Sequence, residues 1–565
     1  MEWVNLFPRA KLHHLTNSAS DHSPLLLRLE RRVSKKKMKK LFKFESMWLK
    51  EHQCEEIVQN AWSDGVMVQS EFLLVSCINH CRMRLEAWNK NVFGHVGRKI
   101  NELQKHLEWL ELQPASLGNI QDMRNTRMEL NKWHEKEDAM WYQCSRINWF
   151  RDRDRNTSYF HAKASARLKK NQIDGLLDAQ EVWQEDEGKV GDIVEDYYTA
   201  LFTTNHPTDF NEILEAIQPK VTPQMNQSLD KAFTVSEVHA ALKQMHPLKA
   251  LGPDGMPTLF YQKFWPIVGD VVTKTILDFL NHGLYPPSFN ETHIVLILKV
   301  KEPKRVTDFR PISLCNVIFR ITSKVIANRL KKILPSIIGD TQSAFVHGRL
   351  ITDNVLVAFE TMHHINGKKG GKKGEMALKL DMSKAYDRVE WVCLEKIMAK
   401  LGFGEKWRNL IVKCVTSVSY SVKINGKPKG KIIPSRGIRQ RDPLSPYLFL
   451  LCVEGLSALI KKSVDMGEME GITVCRGAPR LSHLFFADDS IIFCKATIEE
   501  CNAIQRILGV YEQASGQQLN RTKTALFFSK NTPDEIKEEI KNTFGAQVIR
   551  QHEKYLGLPS LVGNK

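Results

Sequence analysis

No two of the eleven cysteines form a C-x-x-C pair, and their number is odd. Thiols scattered in this way exclude a disulfide framework and a zinc ribbon, and they fit a reducing, intracellular setting. Long apolar runs are also missing. The best stretch, Tyr447 to Ile460, is broken by Glu454 and is too short to span a bilayer. The first residues lack the charged-then-apolar pattern of a secretion signal, and no internal repeat is visible. Negative charge is in deficit: 64 Asp plus Glu face 81 Lys plus Arg, a formal charge of +17. That imbalance favours a polyanionic partner, nucleic acid first and an anionic membrane second. With 565 residues, 42% of them hydrophobic, the chain has material for roughly two to four globular domains.

The N-terminal third is read as helical. Residues 1–30 look like the end of a unit, with a polar turn at Ser20-Asp21-His22-Ser23-Pro24 feeding a short apolar strand. The cluster Lys35-Lys36-Lys37-Met38-Lys39-Lys40 is a solvated helix face, a nucleic-acid contact or an import signal. From about Lys35 to Phe160 an apolar stripe runs through polar sequence, and a break at Gln113-Pro114-Ala115-Ser116-Leu117-Gly118 predicts a helical hairpin. Arg146 to Lys170 interleaves basic residues with Trp149, Phe150, Tyr159 and Phe160. That mixture suits single-stranded nucleic acid and equally an amphipathic helix packed on its own domain. Thr234-Val235-Ser236-Glu237 predicts a helix start, and helix and strand patterns alternate from there. Gly367 to Gly374 reads as an exposed, flexible basic loop.

Three carboxylates carry the chemistry. In Leu484-Phe485-Phe486-Ala487-Asp488-Asp489-Ser490-Ile491-Ile492-Phe493 two short apolar strands flank an Asp-Asp turn. Alone, this is an ordinary Asp-rich hairpin. Upstream, Met376-Ala377-Leu378-Lys379-Leu380 alternates like a strand and ends on Asp381. Val389, Cys393, Ile397 and Leu401 then recur at helical spacing, with Gly402 as the stop, so Asp381 is placed at a strand-to-helix junction. If that strand runs beside the hairpin, three mutually repelling carboxylates meet, and a cation is needed between them. Hard oxygen ligands of this kind suit Mg²⁺ and phosphoryl transfer.

Seven blocks, in order, make the pattern specific. They are Lys249-Ala250-Leu251-Gly252-Pro253-Asp254-Gly255, Asp308-Phe309-Arg310-Pro311-Ile312-Ser313-Leu314, Gln342-Ser343-Ala344-Phe345, Leu380-Asp381-Met382-Ser383-Lys384-Ala385-Tyr386-Asp387, Gly437-Ile438-Arg439-Gln440-Arg441-Asp442-Pro443-Leu444-Ser445-Pro446, Phe486-Ala487-Asp488-Asp489, and Tyr555-Leu556-Gly557-Leu558-Pro559. With these blocks the chain resembles the reverse transcriptase of a plant LINE-type (non-LTR) retrotransposon. The resemblance implies an α+β right-hand polymerase fold with a ferredoxin-like palm. It divides the chain into an endonuclease remnant (1–30), a basic helical extension (31–230), fingers (231–380), and palm with the start of a thumb (381–565). It implies an RNA template, a DNA primer, dNTPs and two Mg²⁺ ions, with Mn²⁺ as a substitute, and no membrane partner. The site of action would be nuclear.

The same resemblance assigns roles. Asp381 and Asp488 hold the metals, helped by the main-chain carbonyl of Met382, with Asp489 a weaker ligand. Tyr386 stacks under the incoming sugar and clashes with a 2′-hydroxyl. Arg310, assisted by Lys299, clamps the triphosphate. Gln440 contacts the nucleotide or template base, and Lys523 protonates departing pyrophosphate. Ser445 is expected to cap a helix opened by Pro446, whose stripe Leu448, Cys452, Leu456 and Leu459 is core.

Some residues depart from the pattern. Leu251, Leu298 and His347 stand where proline is usual, which should loosen turns. Arg441 stands where glycine is usual, in a loop needing φ > 0 and close backbone approach, so weak polymerisation is expected. His22 resembles the last histidine of an endonuclease domain whose remainder is absent, so no nicking is expected. The thumb is also expected to be missing, a truncated copy, which would weaken the grip on a duplex. The rival reading is a catalytically dead remnant that still binds nucleic acid.

Overall fold

The computed structural model describes residues 11–14, 25–28, 41–68, 70–114, 116–145, 157–286, 288–548, 554–556 and 558–559. The expectations for residues 20–22, 35–40, Trp149 and Phe150 lie outside the described residues. The chain is a mixed α and β protein with a helical N-terminal region, and it divides into two compact units.

The first unit comprises residues 1–172 and 246–272. Helices His52–Met67 and Leu73–Trp88 pack so closely that a Cβ on Gly65 would lie 2.6 Å from the Cys77 backbone. The expected hairpin is present. Helix Val96–Glu111 ends before the break, and Leu117–Ser145 begins with Ser116 Oγ accepting from Asn119 N at 3.1 Å. Aromatic rings fill the interior: Phe44 packs edge-on to Phe260 at 5.4 Å, and Trp88, Phe93 and Trp133 form a chain of neighbours. Phe160, on helix Thr157–Lys170, is buried beside Tyr142, so it is core and not a stacking platform.

The second unit comprises residues 173–245 and 273–565 and contains two main sheets. One has four strands, in the spatial order Lys427–Ile432, Ser419–Ile424, Glu291–Leu298, Phe309–Cys315. Helix Glu187–Phe202, capped by Asp186, buries Val194, Tyr198 and Phe202 with Ile294, Tyr420 and Val422 in one core. Leu298, expected in a turn, closes a strand opposite Phe309, where a missing proline loosens nothing.

The second sheet has five strands: β1 (Glu375–Leu380), β2 (His483–Phe486), β3 (Asp489–Lys495), β4 (Ala525–Phe528) and β5 (Gln547–Val548). Their spatial order is β2-β3-β1-β4-β5, antiparallel except for β4 with β5. Helix α1 (Ile351–Gly367) packs Ala358, Met362 and Ile365 against Leu484, Ile491 and Phe493 on one face. The other face is closed too: Ile492 and Cys494 are fully buried, and Ser457 of helix α2 (Ser445–Asp465) bonds His483 at 2.9 Å. Burial on both faces explains why β2 and β3 read as continuous apolar runs. Inside, the His483 ring is pushed down to about 3 by burial and then by Lys461, and so stays neutral.

Three local expectations are corrected. The helix after Asp381 begins only at Trp391; the short strand Met382–Ser383 and a turn intervene, and the αL residue Gly402 (φ 97°) ends the helix as read. Ser445 is the first helical residue and not the cap. The amide of Leu444 is instead held by Asp442 Oδ1 at 2.9 Å. The loop 367–374 is pinned rather than loose, since Asn531 Nδ2 donates to the carbonyls of Gly370, Gly371 and Lys373, and Lys368 pairs with Glu375 at 2.7 Å. By contrast, Thr234 forms the capping box that its sequence predicted, with Glu237.

Candidate active site

Strand register brings the three aspartates together. In the β1–β3 ladder Leu380 faces Ser490, so the next step sets Asp381 across from Asp489. Phe486 and Asp489 pair across the β2–β3 hairpin, leaving Ala487 and Asp488 as its two-residue tip. Asp488 and Asp489 are exposed, and Asp381 is partly so. The Asp489 carboxyl is raised above the ordinary carboxylate range, first by the protein packed around it and then by the charges of Asp488 and Asp381. The carboxylates therefore feel one another.

Their surroundings are cationic. The ladder of Met382 with Leu519 delivers the loop that follows, whose Asn520 N donates to the Asp381 carbonyl at 2.7 Å. On that loop Lys523 Nζ stands 3.8 Å from Asp381 Oδ2. Lys299, just after its strand, has its pKa lowered first by the protein around it, then by Lys523 and Arg310. Exposed Arg310 lies on the neighbouring strand. Lys384 is held at about 8 by burial and then by Lys299. Lys299 thus stands among Arg310, Lys384 and Lys523, and Lys523 in turn reaches Asp381.

Tyr386 and Gln440 are fixed by neighbours. The Tyr386 ring stacks on Phe449 of α2, with centroids 4.8 Å apart and planes 7° from parallel, and its pKa is raised by burial and then by Asp488. Gln440 Nε2 donates to both oxygens of Asp387, at 3.0 and 3.1 Å. Burial lifts the Asp387 carboxyl to about 6 against the pull of Lys384 and Gln440. Gly437 (φ 93°) approaches so closely that a Cβ would lie 2.7 Å from the Asp387 carbonyl. Arg441 is exposed at φ 67°, in the left-handed region that its loop was expected to require.

Sequence reasoning missed Phe449, Asp387 and Lys384, and it gave Gln342 no role. Three of the four stood inside quoted blocks, yet their work lies in contacts across the chain that no local pattern displays. Among the described residues no group of three His, Cys, Asp or Glu side chains stands ready to hold a metal ion. The donors that fit are fewer: the Asp381 and Asp488 carboxylates, hard oxygens with room left for water and phosphate. The charges of Asp488 and Asp381 add to burial in raising the Asp489 carboxyl, and a cation held between them would relieve that part.

Among the described residues no helix is long and apolar enough to cross a membrane. Residues 300–559 match the family model of reverse transcriptase (RNA-dependent DNA polymerase). Over 520 residues the chain is 26% identical to the transposon TX1 uncharacterized 149 kDa protein of Xenopus laevis, covering 90% of this chain and 39% of that one. Over 318 residues it is 27% identical to the retrovirus-related Pol polyprotein from type-1 retrotransposable element R2 of Nasonia vitripennis, covering 55% of this chain and 29% of that one. An uncharacterized mitochondrial protein of Arabidopsis thaliana is 55% identical over 67 residues, 12% of this chain and 55% of that protein. The chain thus spans well under half of the two longer relatives.

Proposed function

With a reverse transcriptase domain at residues 300–559, homologous to the Pol proteins of non-LTR retrotransposons, we propose that the chain adds deoxynucleotides to a primer 3′-hydroxyl on an RNA template. The observation that carries this reading is the register that sets Asp381 across from Asp489 at the Asp488 tip. Two Mg²⁺ ions, when bound, would acidify the primer hydroxyl and neutralise charge on the triphosphate. Asp381 and Asp488 would hold them, with the Met382 carbonyl and Asp489 in support.

The chain's own groups have separate tasks. Arg310, with Lys299, binds the triphosphate through its planar guanidinium. Tyr386, kept flat on Phe449, forms the floor under the sugar and crowds a 2′-hydroxyl. Gln440 faces the nucleotide or template base. Lys523 passes a proton to the departing pyrophosphate oxygen. In this reading residues 231–380 act as fingers and residues from 381 as a ferredoxin-like palm, in a nuclear setting. We place the element in a plant LINE-type lineage on the sequence blocks, and the 67-residue likeness to an Arabidopsis thaliana protein favours the plant part of that reading.

A second reading is a nucleic-acid-binding remnant with impaired chemistry. The left-handed, non-glycine Arg441 favours it. Purified chain, a primed RNA template, dNTPs and Mg²⁺ separate the two, with Asp488→Ala as control. Metal-dependent extension lost in the control supports polymerisation; template binding without extension supports the remnant.

A further inference from the structure

The turn that carries Asp488 is strained, and a side chain far away in sequence restrains it. Ala487 sits at φ 56°, where an L-residue clashes with its own carbonyl and glycine is normally required. Its amide is not left to water: Ala487 N donates to Gln342 Oε1 at 3.1 Å. The same oxygen accepts from Ala344 N at 2.9 Å, which fixes the Gln342 side chain against its own loop. Gln342 is only 3% exposed, so both bonds lie where water does not compete well.

The backbone around Gln342 reinforces the arrangement. Phe485 N donates to the Thr341 carbonyl at 2.8 Å, and Ser343 N donates to the Phe485 carbonyl at 3.1 Å. Residues 341–343 thereby line the outer edge of β2. Asn354 Nδ2 also donates to the Phe485 carbonyl, at 3.1 Å, and Tyr555 OH donates to Asn354 Oδ1 at 2.8 Å. Gln342 Nε2 is buried with no hydrogen-bond partner among the described residues. A side chain that leaves its own donor unpaired while its acceptor serves two amides is held there for the acceptor.

We propose that Gln342 is a positioning residue for the acidic tip: its amide oxygen keeps Ala487 left-handed and so sets the direction in which Asp488 points. The clamp rests on geometry alone. Its effect on metal binding rests on the polymerase reading above. Without the acceptor, Ala487 is free to relax to negative φ, and Asp488 turns away from Asp381.

The test uses the full chain and two readouts. Gln342→Met removes the acceptor while conserving shape. Hydrogen exchange across 484–490, followed by mass spectrometry, should show the Ala487 amide exchanging about tenfold faster, the loss of one hydrogen bond. Mn²⁺ titration, followed by the spin resonance of the free ion, should show binding about tenfold weaker. The double variant Gln342→Met with Ala487→Gly should bind Mn²⁺ as Ala487→Gly alone does, because glycine needs no restraint to stay left-handed. A merely structural role would not be rescued by that glycine. Unchanged exchange at Ala487, or a Mn²⁺ defect that glycine leaves in place, would overturn the proposal. If Asp488→Ala leaves Mn²⁺ binding unaltered, the metal reading fails, and the exchange experiment still judges the clamp. Should Gln342→Met fail to fold, Gln342→Asn, which withdraws the oxygen by one methylene, faces the same two outcomes.

Discussion

Ala487 and Arg441 share a backbone conformation that L-residues avoid, with φ of 56° and 67°, yet they are kept there by different means. At the hairpin tip the strained residue itself is held, through its amide on Gln342. In the loop before α2 the neighbours are held instead. Arg439 pairs with Asp442 at 3.1 Å, bonds Asn290 and lies over the Phe319 ring, all in the interior. Gln440 is tied to Asp387, and Asp442 bonds the Ser323 hydroxyl and Leu444 N. Arg441 is left exposed between fixed points. One strain is restrained at its source; the other is imposed by its surroundings. The first kind suits a group whose direction matters, and the second is tolerated because the residues on either side are tied into the interior.

Four changes would break or sharpen this contrast. The largest effect is expected from Asp442→Ala, which leaves the Arg439 guanidinium buried without its counter-charge. A loss of about 3–5 kcal/mol is expected, read by denaturant unfolding of the full chain, and a loss under about 1 kcal/mol would mean the loop is framed by something else. Next comes Asp387. Burial raises its folded-state pKa to about 6 from the ordinary 3.8. The folded protein therefore keeps a proton between pH 4 and 6 that the unfolded chain has lost. That contribution is full below about pH 4 and vanishes as pH rises through about 6. Asp387→Asn should flatten the stability profile in this window by about 1–3 kcal/mol, and a profile parallel to the parent chain would refute it.

Arg441→Gly should add about 1 kcal/mol, relief of strain less the extra freedom of the unfolded chain. Primer extension should rise roughly ten- to hundredfold if the loop touches the reacting pair. Equal, robust extension by both forms would show that the arginine does no harm. Lys523→Ala should change stability least, below about 0.5 kcal/mol, because the pair with Asp381 is well exposed. Single-turnover extension should nonetheless slow if the amine is the proton donor; an unchanged rate would return Lys523 to the solvated surface.

What could be read in the sequence was whatever repeats locally. The apolar–turn–apolar stretch gave the β2–β3 hairpin, the alternation before Asp381 gave β1, and their convergence followed once the strands were taken as neighbours. The Thr234 capping box was legible because its two partners stand three residues apart. The Ser445 cap was misplaced because Asp442 and Ser323 meet only in the fold. The helix after Asp381 is set too early because Val389 keeps the helical spacing while lying between the turn and the first helical residue, Trp391. Gln342, Phe449 and Asp387 stayed silent for the same reason: each acts on a residue more than fifty positions away, and a buried amide or ring has no periodic signature.

Tyr555 gives the molecule a practical edge. Its ring sits in the apolar floor beneath β2 and β3, and its hydroxyl reaches Asn354. A fragment that lacks this ring would have a wet notch behind the acidic turn and a looser helix α1, with Asn354 Oδ1 deprived of its donor. The smallest portable version of this domain therefore has to carry the stretch through residue 555, even though every proposed metal ligand lies far upstream.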